Sequence, residues 1–275
     1  MLDGFDKLAE GAGKALKNIP ELYDDALKPS AQESGKLLAR IPRAINAVFA
    51  DLDKWILNKE YSIEETKKLL SYKLENISPE KIVTPEPYVA IPAIQAISYS
   101  MDSKELRNLY ANLLAKSMNI DTKAYVHPSF VEIIKQMSPI DARILNEMPS
   151  NKTLPYVNLS STEYDSEVKT INLNFISRRS FPYVTYIDFT DYETVNLSLG
   201  NLSRLGLTET RFAQQEPVPQ KIKKSPHYNL CKTELETFLT NSKWRYEEQL
   251  LFLCLTSFGM GFYNVCIESF NPNML

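Results

Sequence analysis

At 275 residues and 31.4 kDa, with 44% hydrophobic and 24% charged residues, the chain is long enough to bury one or two cores of its own. A net charge of -3, from 31 basic and 34 acidic residues, excludes a broad electrostatic grip on nucleic acid, which needs clustered Lys and Arg. Three cysteines with no Cys-x-x-Cys pair point to a reducing cytoplasm, and the absence of a signal-like start or of about 18 consecutive apolar residues predicts neither export nor a spanning helix.

Phe5, Leu8, Ala12 and Leu16 share one face of a predicted amphipathic helix over residues 5–19. Gly4, Gly11 and Gly13 each weaken it by about 1 kcal/mol relative to Ala, so it needs a surface to lie on: this protein, a partner or a membrane. Residues 1–27 read as a segment of their own. Ser30 with Glu33 forms a capping box, and Leu37, Ile41, Ile45, Val48, Leu52 and Ile56 continue a stripe that Pro42 should kink near Ala39. Ser62 with Glu65 starts the next helix. Pro85 and Pro87 open another along Tyr88, Ile91, Ile94 and Ile97, with a bend expected at Pro92. Asp102 with Glu105 caps a further helix through Leu106, Leu109, Tyr110, Leu113, Leu114 and Met118. Residues 28–137 therefore read as an all-helical domain.

The run His127-Pro128-Ser129-Phe130 opens a short helix with Pro128 at its first position and Phe130, Ile133, Ile134 and Met137 on one face. Ser138 caps the next start. Pro139 follows at N1, Asp141 lies in the first turn, where the helix dipole favours a carboxylate, and Ile144, Leu145 and Met148 point inward. This His-Pro-Ser-Phe phrase, with the Ser-Pro-Ile-Asp-Ala start behind it, resembles the bacterial abortive infection alpha family, over residues 27–266. The resemblance implies a role in stopping or killing an infected cell before phage progeny mature. It implies no catalytic residue.

After Met148 the period shortens. Residues 154–159, 168–175 and 183–189 are rich in β-branched and aromatic residues and read as strands. Thr190 or Asp191 caps a helix with Glu193 in its first turn, Val195, Leu199 and Leu202 inward, and Leu205-Gly206 at its close. Residues 207–212 read as a strand, 214–226 as a Pro- and Lys-containing loop, 232–239 as a small helix, 249–255 as a strand and 257–270 as a closing helix. The fold class is mainly α: a helical N-terminal domain followed by an α+β, winged-helix-like domain over 138–275. In that arrangement the helix ending at Arg204 takes the recognition position, exposing Asn196, Ser198, Asn201, Ser203 and Arg204, and the wing loop carries Lys221, Lys223 and Lys224. Asn201, Arg204 and the three lysines are the candidate nucleic-acid contacts of a DNA-binding regulator. So few cations on a charge-balanced domain favour a protein-docking module over that alternative.

Chemistry is harder to find. Gly13-Lys14 lacks the Gly five positions earlier and the following Ser or Thr of a phosphate loop. His127 and His227 stand in no metal-binding spacing. His127 is expected to serve the helix joint by satisfying a backbone group, and not to pair with Ser129 as part of a triad, because neighbours at a helix start do not aim at each other. No catalytic, cofactor-binding or metal residue and no small-molecule substrate is identified. The expected partner is another protein or a second copy, with peripheral membrane contact through residues 1–19.

Overall fold

The computed structural model describes residues 60–75, 77–100, 102–163, 179–213, 216–238 and 244–268. The helices expected over 5–19 and 30–56, the Pro42 kink, the separate 1–27 segment and the strand over 168–175 lie outside these residues. The described chain forms two units, one of residues 60–142 with 261–268 and one of residues 143–260. The boundary placed at 137/138 from the sequence thus falls a few residues later, and residues 261–268 group with the first unit.

In the first unit, α1 (Glu60–Leu74) is already helical at Glu60, so Ser62 lies inside it and does not cap it. Leu70 and Leu74 on its last turns are fully buried. Helix α2 (Pro87–Tyr99) has Pro87 at N1 and continues through Pro92. The bond that Pro92 cannot make would have gone to the carbonyl of Tyr88, a residue 60% exposed, where water can replace it. Of the expected stripe, Ile94 and Ile97 are buried, but Tyr88 is exposed and Ile91 only half-buried, and the inward face is completed by Val89, Ala90, Ala93 and Ala96. Small alanines on that face allow close approach of a neighbour.

That neighbour is α3 (Lys104–Ser117), which packs against α1, α2 and the turn that closes the chain. Ser103, not Asp102, is its cap, accepting from the Leu106 amide at 3.2 Å. From Leu109 to Ala115 every residue is buried, so the helix is covered all the way round. A polar group in such a place must be satisfied. The Asn112 side chain donates to the Cys266 carbonyl at 2.6 Å, which ties the π-helical turn Tyr263–Ile267 to the middle of α3. Helix α4 (Ser129–Lys135) lies against α2 and α3, and α5 (Pro139–Asn146) follows it after a three-residue joint.

The second unit is built on an antiparallel sheet of β1 (Thr153–Glu163), β2 (Arg179–Val184), β3 (Thr208–Phe212) and β4 (Trp244–Leu255) in the order β2-β1-β4-β3. Between β2 and β3 runs α6 (Tyr192–Arg204), capped as expected by Asp191, whose carboxylate accepts from the Thr194 amide at 2.8 Å. Between β3 and β4 run α7 (Gln220–Lys223) and α8 (Pro226–Phe238). The chain leaves the sheet through α9 (Ser257–Phe262).

Register places Val157 opposite Leu250 and Tyr156 opposite Leu251. Both sets are buried, so the central pair β1 and β4 is covered on both faces. On one face Val157, Leu159 and Leu250 form a core with Ile222, Tyr228, Cys231 and Leu235 of α7 and α8. Three expectations change here. The strand read at 183–189 is β2, earlier in the chain, because pairing with β1 ends at Val184, where a register irregularity coincides with a left-handed Tyr183. The loop read at 214–226 contains α7, and the helix read at 232–239 begins at Pro226. Two of the three prolines there, Pro219 and Pro226, stand at helix starts, where a missing amide costs nothing. Strands β3 and β4 do pair antiparallel as the two strands of a wing would, but with two helices in the connection and two further strands beyond β4.

Where α6 ends, Gly206 takes φ of +72° and the Leu207 carbonyl accepts the Thr256 amide. The Thr256 hydroxyl donates to the Gly206 carbonyl at 2.6 Å and caps α9 by accepting the Gly259 amide at 2.8 Å. A methyl group on Gly259 would stand 1.8 Å from the Leu207 carbonyl oxygen, whereas one on Gly261 would meet nothing closer than 3.8 Å. Gly259→Ala should therefore destabilise the protein by more than about 3 kcal/mol and Gly261→Ala by less than about 1 kcal/mol. Chemical denaturation of the two variants checks this, and equal losses would contradict it.

Candidate functional site

Two places gather polar side chains. The first is the joint between α4 and α5. Pro128 is the N-cap of α4, one position earlier than expected, and the His127 carbonyl accepts the Phe130 amide at 3.0 Å. The His127 Nδ1 accepts the Ser129 amide at 3.2 Å and lies 2.6 Å from the Ser129 hydroxyl. The expectation that these two residues would not meet is corrected: a side chain just ahead of a helix reaches the backbone two residues on, as in an Asx turn, and the imidazole does so here. With Nδ1 accepting, the neutral ring carries its proton on Nε2. The backbone-satisfying role expected of His127 is what this geometry provides.

Phe130 is buried with its ring edge-on to Phe262 at 5.4 Å. At the next helix the Ser138 amide donates to Asp141 at 2.6 Å and the Ser138 hydroxyl accepts the Asp141 amide at 3.1 Å. This is a reciprocal capping box with Asp as its acid, and it is why Asp141 is buried. Pro139 follows at the head of α5. The seven motif residues thus stand at two successive helix starts, His127 to Phe130 at that of α4 and Ser138 to Asp141 at that of α5.

The second place lies in the second unit, between α8 and β4, and sequence reasoning missed it. The Tyr228 hydroxyl donates to Glu248 Oε1, the Tyr246 hydroxyl donates to the same oxygen at 2.7 Å, and Lys223 Nζ stands 3.5 Å from Oε2. Lys232 Nζ lies 5.8 Å from the centroid of the Tyr246 ring. Burial, then the Tyr228 hydroxyl and the Glu248 carboxylate, push the Tyr246 hydroxyl far up. Burial, then the Glu248 carboxylate, raises Tyr228 likewise. Burial would raise Glu248, but the two hydroxyls and Lys223 outweigh it and the net shift is downward. An acid held ionised and two hydroxyls held protonated have moved away from neutral pH in opposite directions. They are poorly matched for exchanging protons with a substrate. The cluster is a polar rivet at the partly exposed margin of the apolar core. Period two along β4 puts Tyr246, Glu248 and Leu250 on one face, a signal available had the strand been read back to Trp244. The partner Tyr228 had no such signal.

The residues expected to touch nucleic acid are placed as follows. Arg204 Nε donates to Asn201 Oδ1 at 2.9 Å, which occupies the acceptor that would read an adenine edge. Lys221 Nζ lies 3.7 Å from the centroid of the Tyr186 ring, Lys223 is held by Glu248, and Lys224 is exposed at the C-cap of α7. The lysines stand on a short helix instead of a wing loop. Ser198, expected on the outer face of α6, is buried, because that face runs through Glu193, Leu197 and Arg204 at spacings of four and seven. His227, also buried, makes a 2.7 Å hydrogen bond from Nε2 to the Thr190 carbonyl. Among the described residues no three His, Cys, Asp or Glu stand close enough to hold a metal ion, and no helix is long and apolar enough to cross a membrane.

Residues 58–266 match the model of a family described as abortive infection alpha. No curated protein and no solved structure matches the chain.

The rivet makes a pH-dependent prediction. Glu248, with its carboxyl lowered from 4.5, adds stability that is complete above its unfolded pKa and is lost as pH falls through the lower native value. Unfolding by urea from pH 7 towards pH 3 should show the wild type losing more stability than Glu248→Gln. Tyr246→Phe should cost about 1 kcal/mol at pH 7. Parallel pH profiles for wild type and Glu248→Gln would contradict the assignment.

Proposed function

Since the chain belongs to the abortive infection alpha family, we propose that it acts in bacterial defence against phage, and does so by docking on another protein rather than by making or breaking covalent bonds. The observation that carries the docking mode is the exposure of large side chains on the first unit: Tyr72 at 69%, Tyr88 at 60%, Tyr125 at 67% and Ile120 at 52%. Burying one such ring against a partner is worth about 2 kcal/mol, and a tyrosine can bury its ring while its hydroxyl stays wet. The non-enzymatic reading has support in the rivet, where the Glu248 carboxyl is shifted down and the Tyr228 and Tyr246 hydroxyls up, which matches them poorly for proton transfer at neutral pH. Residues 1–19, as a peripheral membrane contact at the inner face, belong to the same reading. So does the use of the α6-β3-β4 region as a winged-helix-like docking module. A DNA-binding regulator is not favoured, because Asn201 and Arg204 bond to each other and Lys221 and Lys223 are engaged at home.

The test is plaque counting on cells expressing the full chain. Tyr72→Ser, Tyr88→Ser and Tyr125→Ser combined should abolish protection while changing stability by no more than about 0.5 kcal/mol per site. Deletion of residues 1–27 should weaken protection if that segment anchors the protein. Wild-type cells as sensitive as empty cells to every phage tried would end the defence reading. Full protection by the triple variant would end the docking reading alone.

A further inference from the structure

The two edges of the sheet in the second unit are built differently. Edge strand β2 carries Pro182, and its pairing with β1 is irregular between Val157 and Leu159. Proline and irregular pairing both discourage a further strand. Edge strand β3 has neither. Its pairing with β4 is continuous from Thr208 to Phe212, it holds no Pro or Lys, and after the buried Thr208 its residues are all exposed, with Phe212 at 73%.

The direction of its free backbone groups can be worked out. Leu207 accepts from Thr256, and Ala213 donates to Leu250, so the odd-numbered residues of β3 turn their amides and carbonyls towards β4. Antiparallel pairing alternates, which leaves the amide and carbonyl groups of Thr208, Thr210 and Phe212 directed at the open edge. The charges are arranged around the same centre. Glu209 and Arg211 flank Thr210, are both exposed, and lie on one face of the strand, where they pair with each other at 2.7 Å.

We propose that β3 is a self-pairing edge, at which a second copy of this chain adds its own β3 antiparallel about a two-fold axis through Thr210. Thr210 then faces Thr210 of the other copy as a hydrogen-bonded pair, and Thr208 faces Phe212. Glu209 faces Arg211 twice over, which turns two pairs within strands into a four-membered charge ring across the interface. A strand of another sequence would match the backbone but would have to reproduce this charge order to match the side chains, whereas a second copy does so by symmetry. The pairing extends the four-stranded sheet to eight strands. The inference stands on β3 alone, independently of the aromatic residues invoked above.

Sedimentation velocity of the full chain over a concentration series tests it. A reversible monomer-dimer equilibrium is expected in the wild type. Thr210→Pro removes an amide that points away from β4, so it should weaken the dimer at least about tenfold, while losing the 2.9 Å contact between the Thr210 and Tyr156 hydroxyls lowers the monomer's melting temperature by a few degrees. Glu209→Arg and Arg211→Glu each place like charges opposite one another and should each yield monomers. An equimolar mixture of those two proteins should dimerise again, as should the double variant Glu209→Arg/Arg211→Glu. A wild type that stays monomeric throughout overturns the proposal. So does a dimer that ignores both single charge reversals, or a mixture that stays monomeric. Should Thr210→Pro fail to fold, the charge variants, which alter only exposed side chains, decide alone.

Discussion

A helix or strand that is apolar on every side is stable only where other elements cover every side, and each unit is organised around one such element. In the first unit it is α3, buried through Leu109–Ala115 without interruption. Fully burying one Leu contributes about 2 kcal/mol, so Leu113 and Leu114 alone create a strong demand for neighbours on opposing sides. α1, α2, α4 and the closing turn answer it. The Asn112 hydrogen bond to the Cys266 carbonyl follows from the same constraint, since a carboxamide in that position must find an acceptor. In the second unit it is β4, whose Leu250, Leu251 and Leu253 face alternate sides and are all buried. The two helices between β3 and β4 are the cover for one side.

The same constraint explains where charge and hydroxyl groups stand. Glu248 is on the face of β4 that α7 and α8 cover, so its carboxylate could enter only with donors to meet it, and Tyr228, Tyr246 and Lys223 supply them. The energetic consequence is rigidity of the α8-β4 contact. The electrostatic consequence is that the Glu248 carboxyl is held below its ordinary value and the Tyr228 and Tyr246 hydroxyls above theirs. Polar residues converge here at the margin of the core, while large side chains stand exposed on the first unit and along β3.

Several helix starts were legible because a cap is a local affair, although Ser62 and Asp102 were not the caps they were read as. Asp191, Ser138 and Pro139 do what their side chains and positions dictate, because a cap is decided within four residues. The stripe Leu106-Leu109-Tyr110-Leu113-Leu114 was legible for the same reason of short range. Misreadings came where one residue type serves two purposes. Pro219 and Pro226 were read as loop markers but head helices, and the spacing Tyr228-Cys231-Leu235 was the overlooked stripe. Along α2 the apolar residues form more than one stripe, and the alanine face won because it lets α3 come close.

What the residues alone determined is of short range: the helix starts at Ser138-Pro139 and Asp191, the buried stripe from Leu106 to Leu114, and the family that the run from His127 to Asp141 resembles. Only the tertiary structure decided that Tyr228 meets Glu248, that residues 261–268 rejoin the first unit, that Gly259 must be bare against Leu207, and that β3 is an edge with Thr210 facing outward. Each of these depends on contacts between residues far apart in sequence, and no local propensity encodes which distant strand or helix will arrive to make them.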